Sequence, residues 1–336
     1  MSRHHTWVFA LGVLLALLVA ACLFSLSVGP AGVSLLRAAR LWREGTAGTY
    51  LSIILDVRLP RILLGVAVGG GLSLSGVVLQ GLFRNPLVEP YTLGVSGGAA
   101  LGVAVSSVLG LSRLSGPYGI PLAGFAGALC AIFLLQALSS KRGVLSVQGL
   151  LLVGVMLSFI CSSVVLLIMS VSRLEDLHGI LFWIIGSLGE TDWFLVKLAL
   201  AATMTGLILS YFFCFDLNAL SLGEEEALHL GINVERTKKM LFILTSLLTG
   251  LCVSLAGAIG FVGLVVPHFL RLIVGPDHRV LLVSSFLAGA VFLILSDTLA
   301  RTIALPIELP VGVVTGIVGG VLFIYALTRK TRAGGL

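Results

Sequence analysis

Ten apolar stretches, each near the roughly 20 residues that a helix needs to cross a bilayer, leave this chain few folds to choose from. They lie at about residues 7–28, 62–83, 92–110, 118–138, 146–170, 193–214, 239–260, 262–275, 279–298 and 311–328. The expected fold is all-α: one polytopic integral membrane domain, 1–336, of about ten transmembrane helices. Composition agrees. With 58% hydrophobic and 11% charged residues, the chain is far from a soluble globule, whose charged share is about a quarter. Its 41 glycines suit helices whose backbones approach closely in lipid. The stretch 262–275 is short, and Gly260 and Gly263 predict a tight turn where it leaves its predecessor.

An even number of spans puts both termini on one side. Lys and Arg are in modest excess on that side, which makes it cytoplasmic. The other side still carries Arg37, Arg40, Arg43, Arg58, Arg61, Arg113, Arg173 and Arg301, an excess that asks for an explanation. Two segments there are more than loops: an amphipathic stretch at 35–42 suited to the interface, and 178–188, whose apolar run is too short to span and predicts a half-helix at the outer mouth. The net charge of +6 suits anionic lipid, and no basic run interleaved with aromatics suggests nucleic acid.

One long polar break, 216–239, divides the chain into halves at about 58–170 and 239–328. Ser221 and Glu224 have capping-box spacing, and Glu224, Glu225 and Glu226 favour the positive end of a helix dipole. Gly231 suits the left-handed end of a helix, so a short independent helix is expected over 222–230, with Asn233 capping the next one. A shaped docking helix and a plain solvated loop both fit these residues. The halves echo each other at an offset of 181: Gly69, Ser73, Leu74, Gly76 and Pro86 against Gly250, Ser254, Leu255, Gly257 and Pro267. Five spans lie between the copies, so the second runs inverted, as in many transporters of alternating access.

The remaining motifs divide between architecture and function. Arg58-Leu59-Pro60-Arg61 opens the second span, with Pro60 in its first turn, and Asp297 and Arg301 end the ninth at i, i+4 pairing distance. The three arginines are either snorkelling helix ends or a cationic rim that docks an acidic partner. Gln80, Asn85 and Leu87 belong to a proline-broken turn, in which Asn85 before Pro86 is pushed out of helical geometry; the alternatives are a simple turn or the inner gate of a pathway. Gly65 and Gly69, Gly94, Gly98 and Gly102, and Gly312, Gly316 and Gly320 mark packing faces. Gly94-Val95-Ser96-Gly97-Gly98 resembles a serine-protease motif, for which His268 is the available base, but the pattern alone is weak. The five cysteines are scattered through apolar spans as small hydrophobes. No Lys follows a Gly, so there is no Walker A loop, and ionisable groups within the spans are too few for a self-sufficient ion-driven pump. No catalytic residue, metal site or bound cofactor is expected.

Together, Arg58 to Arg61, the runs 82–90, 93–98 and 260–268, Asp277-His278-Arg279 and 308–315 resemble the permease subunits of type II ABC importers, the BtuC-like or FecCD family, which move iron–siderophore complexes, haem and vitamin B12 across the bacterial inner membrane. The resemblance runs from about Arg58 to Leu327. It implies a homodimer or pseudo-dimer of permeases with two ATPase subunits, which hold ATP and Mg, and a periplasmic binding protein. It further implies that Leu222, Gly223, Glu224, Glu225, Glu226, Ala227, Leu228, His229, Leu230 and Gly231 form the coupling helix, that Arg58, Arg61 and Arg301 meet the binding protein, and that Asn85 and Leu87 sit at the inner gate, near Gln80. A self-contained ion-coupled carrier is the competing reading, and an intramembrane serine protease the distant third.

Overall fold

The computed structural model of the chain describes residues 3–29, 48–111, 116–140, 147–189 and 192–333. The stretch 35–42 and most of the 139–147 connection lie outside the described residues. The described chain is helical: α1 (Arg3–Ser27), α2 (Gly48–Ser52), α3 (Leu59–Leu82), α4 (Val95–Val108), α5 (Gly119–Ser140), α6 (Val147–Val171), α7 (Leu174–Ile185), α8 (Trp193–Phe212), α9 (Cys214–Leu222), α10 (Glu224–His229), α11 (Val234–Ala256), α12 (Val262–Val274), α13 (His278–Thr302) and α14 (Val311–Ala333). Each of the ten expected spans coincides with one of these helices. Seven are long and apolar enough to cross a membrane, and shorter apolar helices cover Val95–Val108, Val262–Val274 and Val311–Ala326.

The bundle is built around α3, which a π turn over Ile53–Arg58 joins to α2. Of the apolar window in the span Tyr50–Leu82, 89% is buried, against 11% for that in α1. Such burial requires small residues on the central helix. A Cβ on Gly69 would collide with the carbonyl of Gly289 in α13, and one on Gly76 with that of Gly263 in α12. On Gly71 it would lie 2.8 Å from both Cys252 of α11 and Thr203 of α8. Gly98 and Gly102 likewise bring α4 against Gly127 and Ala123 of α5, so these parts of the glycine pattern are packing faces. Gly316 meets nothing within 4 Å, and α14 exposes Val313, Ile317, Val321 and Ile324 along the same side.

The two halves are alike in element order. Each half runs as a long helix, an irregular stretch, a half-helix and two long helices: α3 to α6, then α11 to α14. The half-helices α4 and α12 have 14 and 13 residues, about 20 Å each, too short to cross. Each opens on a left-handed residue, Gly94 (φ +82°) before α4 and Phe261 (φ +69°) before α12. Gly257 (φ +70°) takes the left-handed position that ends α11. Gly260, expected from sequence in this turn, lies within it, whereas Gly263, also expected there, is helical and permits close approach to Pro90 and to the Leu72 carbonyl.

Around the polar break the helices differ from expectation. Ser221 is not an N-cap: it lies in α9 and donates to the Leu217 carbonyl at 2.8 Å. The helix expected over 222–230 is α10, Glu224–His229, capped by Gly223 without a side-chain bond. Ser221 competes poorly because α9 continues from α8 with only Phe213 between, so its hydroxyl finds the preceding turn. The far end is as expected. Gly231 (φ +82°) sends its N–H to Leu228 at 2.9 Å, and Ile232 to Ala227 at 3.0 Å, a Schellman closure. Asn233 then caps α11 by accepting from the Arg236 N–H at 3.0 Å.

Candidate functional site: the two ends of the bundle

At the end carrying α9 and α10, α10 is anchored by buried Ala227 and by Glu224, which pairs with Lys238 of α11 at 2.5 Å. Around it Leu222, Leu228 and Leu230 are 65%, 58% and 65% exposed, and Glu225, Glu226 and His229 are exposed as well. Beside them a groove of about 790 Å³ runs between α1, α9 and the α12–α13 turn, lined in part by Trp7, Phe215, Leu222, Leu230, Pro276 and Asp277. These leucines thus flank or lie on a short helix whose other exposed side chains are Glu225, Glu226 and His229.

One amide of this segment makes several bonds to the start of α13. Asn218 of α9 accepts the His278 N–H at 2.9 Å and donates to Asp277 at 3.1 Å. Its oxygen also lies 2.8 Å from His278 Nδ1; an oxygen already accepting the backbone N–H requires that nitrogen to carry the proton. Asp277 caps α13 at the Arg279 N–H, 3.0 Å, and the Arg279 guanidinium grips it at 2.6 Å. That guanidinium, helped by the Arg279 N–H and the Asn218 amide, holds the Asp277 carboxyl well below the usual carboxylate range. Arg279 in turn lies over the rings of Trp7 and Phe215, at 5.1 and 5.8 Å.

The turn after α3 reaches the same end. Arg84 adopts φ +50°, and Asn85 Oδ1 accepts the Leu87 N–H at 2.9 Å, the local turn expected of Asn before Pro. Leu87 is 55% exposed. Gln80 does not line an opening: it is 2% exposed, and its Nε2 donates to the carbonyls of Gly263 at 3.3 Å, Leu264 at 3.4 Å and Val88 at 3.5 Å. The reason is Pro267, which lies inside α12. Lacking an N–H, it leaves the carbonyl four residues back, that of Gly263, without its helical donor. Gln80 supplies one.

From Val88 the chain climbs into the bundle and meets the break before α12. Glu89 accepts the Phe261 N–H at 2.6 Å, and the Tyr91 hydroxyl accepts the Ile259 N–H at 2.9 Å. A left-handed conformation costs a residue such as Phe261 about 1–3 kcal/mol. A hydrogen bond to a charged acceptor contributes roughly 1.5–3 kcal/mol, so Glu89 is sufficient to hold it. The partner of Glu89 lies 172 positions away, and no local pattern announces such a bond.

At the opposite end the three arginines converge, but facing inward. Asp297 accepts from Arg61 at 2.9 Å and, as the i, i+4 spacing suggests, from Arg301 at 3.0 Å. Arg301 also donates to Ser25 Oγ at 2.8 Å, and Arg58 Nη1 to the Leu26 carbonyl at 2.5 Å. Arg58 and Arg301 are each 3% exposed, so within this chain they tie α1, α3 and α13 together and are not the open rim expected from sequence. The pairing is favoured because a buried guanidinium without a carboxylate is costly. Arg61 alone reaches a carboxylate near solvent, Glu308, at 2.8 Å. The short helix expected at this end is α7. Behind it, Gly186 (φ +81°) turns the chain so that Ser187 N–H reaches the Ala256 carbonyl at 2.8 Å.

The His268 ring lies edge-on to Phe269 and Phe323 at 6.2 and 5.7 Å. Among the described residues no group of three or more His, Cys, Asp or Glu side chains is placed to hold a metal ion.

A family model described as the FecCD transport family matches residues 17–329. Over 257 residues the chain is 42% identical to the cobalamin import system permease protein BtuC of Halobacterium salinarum, covering 76% of this chain and 69% of that protein. It is 40% identical over 293 residues to the hemin transport system permease protein HmuU of Yersinia pestis, covering 87% and 86%. A solved structure described as an inward-facing conformation of a metal-chelate type ABC transporter superimposes with a TM-score of 0.86 at 33% identity, covering 95% of this chain and 98% of that one.

Proposed function

This chain belongs to the FecCD transport family, and we propose that it is the membrane permease of an ABC importer for a metal chelate across a bacterial inner membrane, with both termini cytoplasmic. The supporting observation is α10, a short acidic helix that exposes Leu228 and is flanked by exposed Leu222 and Leu230, on a chain that has no Walker A loop of its own. Two ATPase subunits bind ATP and Mg and close on this helix in each of two permease copies. Iron–siderophore is the first candidate cargo, followed by cobalamin and haem, which the names of the relatives favour.

A periplasmic binding protein docks at the other end, on the edge formed by Arg58, Arg61 and Arg301. Because Glu308 already occupies Arg61, a partner carboxylate engages by taking its place, while Arg58 and Arg301 hold the frame. Asn85 and Leu87 form the inner gate; Gln80 serves it by positioning α12. This division of labour needs no ionisable pathway in the permease, in contrast to an ion-coupled carrier.

The test uses the assembled importer in proteoliposomes. Replacing Glu224, Glu225, Glu226 and His229 together by alanine is expected to abolish ATP-driven uptake while the ATPases continue to hydrolyse. Full coupled uptake by that variant refutes the coupling role. Accumulation of cargo by the permease alone, under a proton or sodium gradient, establishes the carrier instead. Stimulation of hydrolysis by binding protein loaded with ferric siderophore, cobalamin or haem identifies the cargo.

A further inference from the structure

The half-helix α12 is held at its N-terminal end by side chains from elsewhere in the chain, and the turn after it is held where α13 begins. At its C-terminal end the turn that follows is clamped by Asn218, through Asp277 and His278, and Asn218 lies on α9, which leads through Gly223 into α10. At its N-terminal end Phe261 is held by Glu89 and Ile259 by Tyr91. The Gly263 and Leu264 carbonyls are held by Gln80, which also reaches Val88. Glu89 and Val88 directly follow Asn85 and Leu87. A helix of 13 residues with Pro267 inside it, about 20 Å long, thus runs from the gate turn at its start to the turn into α13 on which the polar segment is pinned.

We propose that α12 is the strut that carries movement of α9 and α10 to the 85–89 turn, with Asn218 and Glu89 as the positioning residues at its two joints. The inference rests on the reading of α10 as the element that a partner ATPase moves. A shorter route exists, since Arg84 Nη2 donates to the Leu222 carbonyl, but that contact is a single exposed bond at 3.5 Å. The joints of α12 use several bonds of 2.6 to 3.1 Å. Force passes through the stiffer connection. The Phe261 backbone at the Glu89 joint is left-handed (φ +69°), a conformation that persists only where its surroundings hold it.

The test places an environment-sensitive fluorophore on Leu228→Cys or Leu87→Cys, both positions exposed, with exposed Cys130 replaced by serine. The importer, assembled with its ATPases in nanodiscs, is then trapped with MgATP and vanadate. Both labels are expected to respond in the otherwise unaltered protein. In Asn218→Ala and in Glu89→Leu the Leu228 label keeps its response and the Leu87 label loses it. Glu89→Gln, which keeps an acceptor for the Phe261 N–H, restores the Leu87 response, and Arg84→Ala leaves both responses intact. A full Leu87 response in Asn218→Ala or Glu89→Leu, or its loss in Arg84→Ala, overturns the strut. A silent Leu228 label in the unaltered protein overturns instead the reading of α10 on which it rests. Hydrogen exchange on the unaltered importer needs no variant: trapping is expected to change exchange at 85–94 and 257–261 together, and a change confined to 85–94 overturns the proposal.

Discussion

Replacing Gln80 by Met tests whether the proline in α12 and the glutamine in α3 form one unit. The substitution keeps length and volume but removes the donor that serves the Gly263 carbonyl, 2% exposed though the glutamine is. Leaving a buried backbone acceptor unpaired costs about 1–3 kcal/mol. The observed bonds are long, 3.3 to 3.5 Å, and one amide divides two hydrogens among three carbonyls, so the lower end, about 1 kcal/mol, is expected. Pro267→Ala restores the helical N–H to that same carbonyl. In that background Gln80→Met is therefore expected to cost little, giving a coupling of about 1 kcal/mol in the double-mutant cycle. The measurement is equilibrium unfolding in mixed micelles of dodecyl sulfate and a mild detergent, followed by maleimide labelling of Cys252, which is 2% exposed in the fold. Additivity of the two substitutions within about 0.3 kcal/mol refutes the reasoning, since it means Gln80 does not serve the carbonyl that Pro267 orphans.

In the same assay Asp297→Asn is expected to lose about 3–5 kcal/mol, because it strips the carboxylate from buried Arg61 and Arg301. Glu308→Gln, at 42% side-chain exposure, is expected to lose at most about 1 kcal/mol; equal losses would remove the distinction between the inner and outer carboxylates of the cluster. Gly76→Ala drives a methyl into the Gly263 carbonyl and is expected to cost about 1–3 kcal/mol, whereas Gly12→Ala, with nothing within 4 Å, is expected to be neutral or slightly stabilising. A neutral Gly76→Ala would mean that α3 and α12 separate freely.

Length and apolarity alone were enough to place a helix in each of the ten expected stretches, because apolar runs of about 20 residues suit a bilayer; seven are long and apolar enough to cross, while 92–110 and 262–275 hold half-helices. The helix stop at Gly231 and the Asn233 cap were equally readable, since both are satisfied within a few residues of chain. The echo at an offset of 181 does not align the elements, since the half-helices begin at Val95 and Val262 and Pro86 lies in a turn whereas Pro267 lies inside α12. What escaped were bonds between distant segments. Ser221 followed its own helix instead of the capping pattern, and the arginines that read as an open rim found Asp297, Ser25 and the Leu26 carbonyl. Gln80 proved to be bound to carbonyls some 183 positions on, and Glu89 to the backbone of Phe261.

Sequence by itself decided that the chain is a helical membrane bundle with a polar segment between two related halves, since hydropathy and capping are local properties of neighbouring residues. Tertiary structure alone decided which polar groups are working surfaces and which are internal ties. Inside a bundle every buried donor, acceptor and charge must find a partner, and that partner is chosen by whichever helix packs alongside.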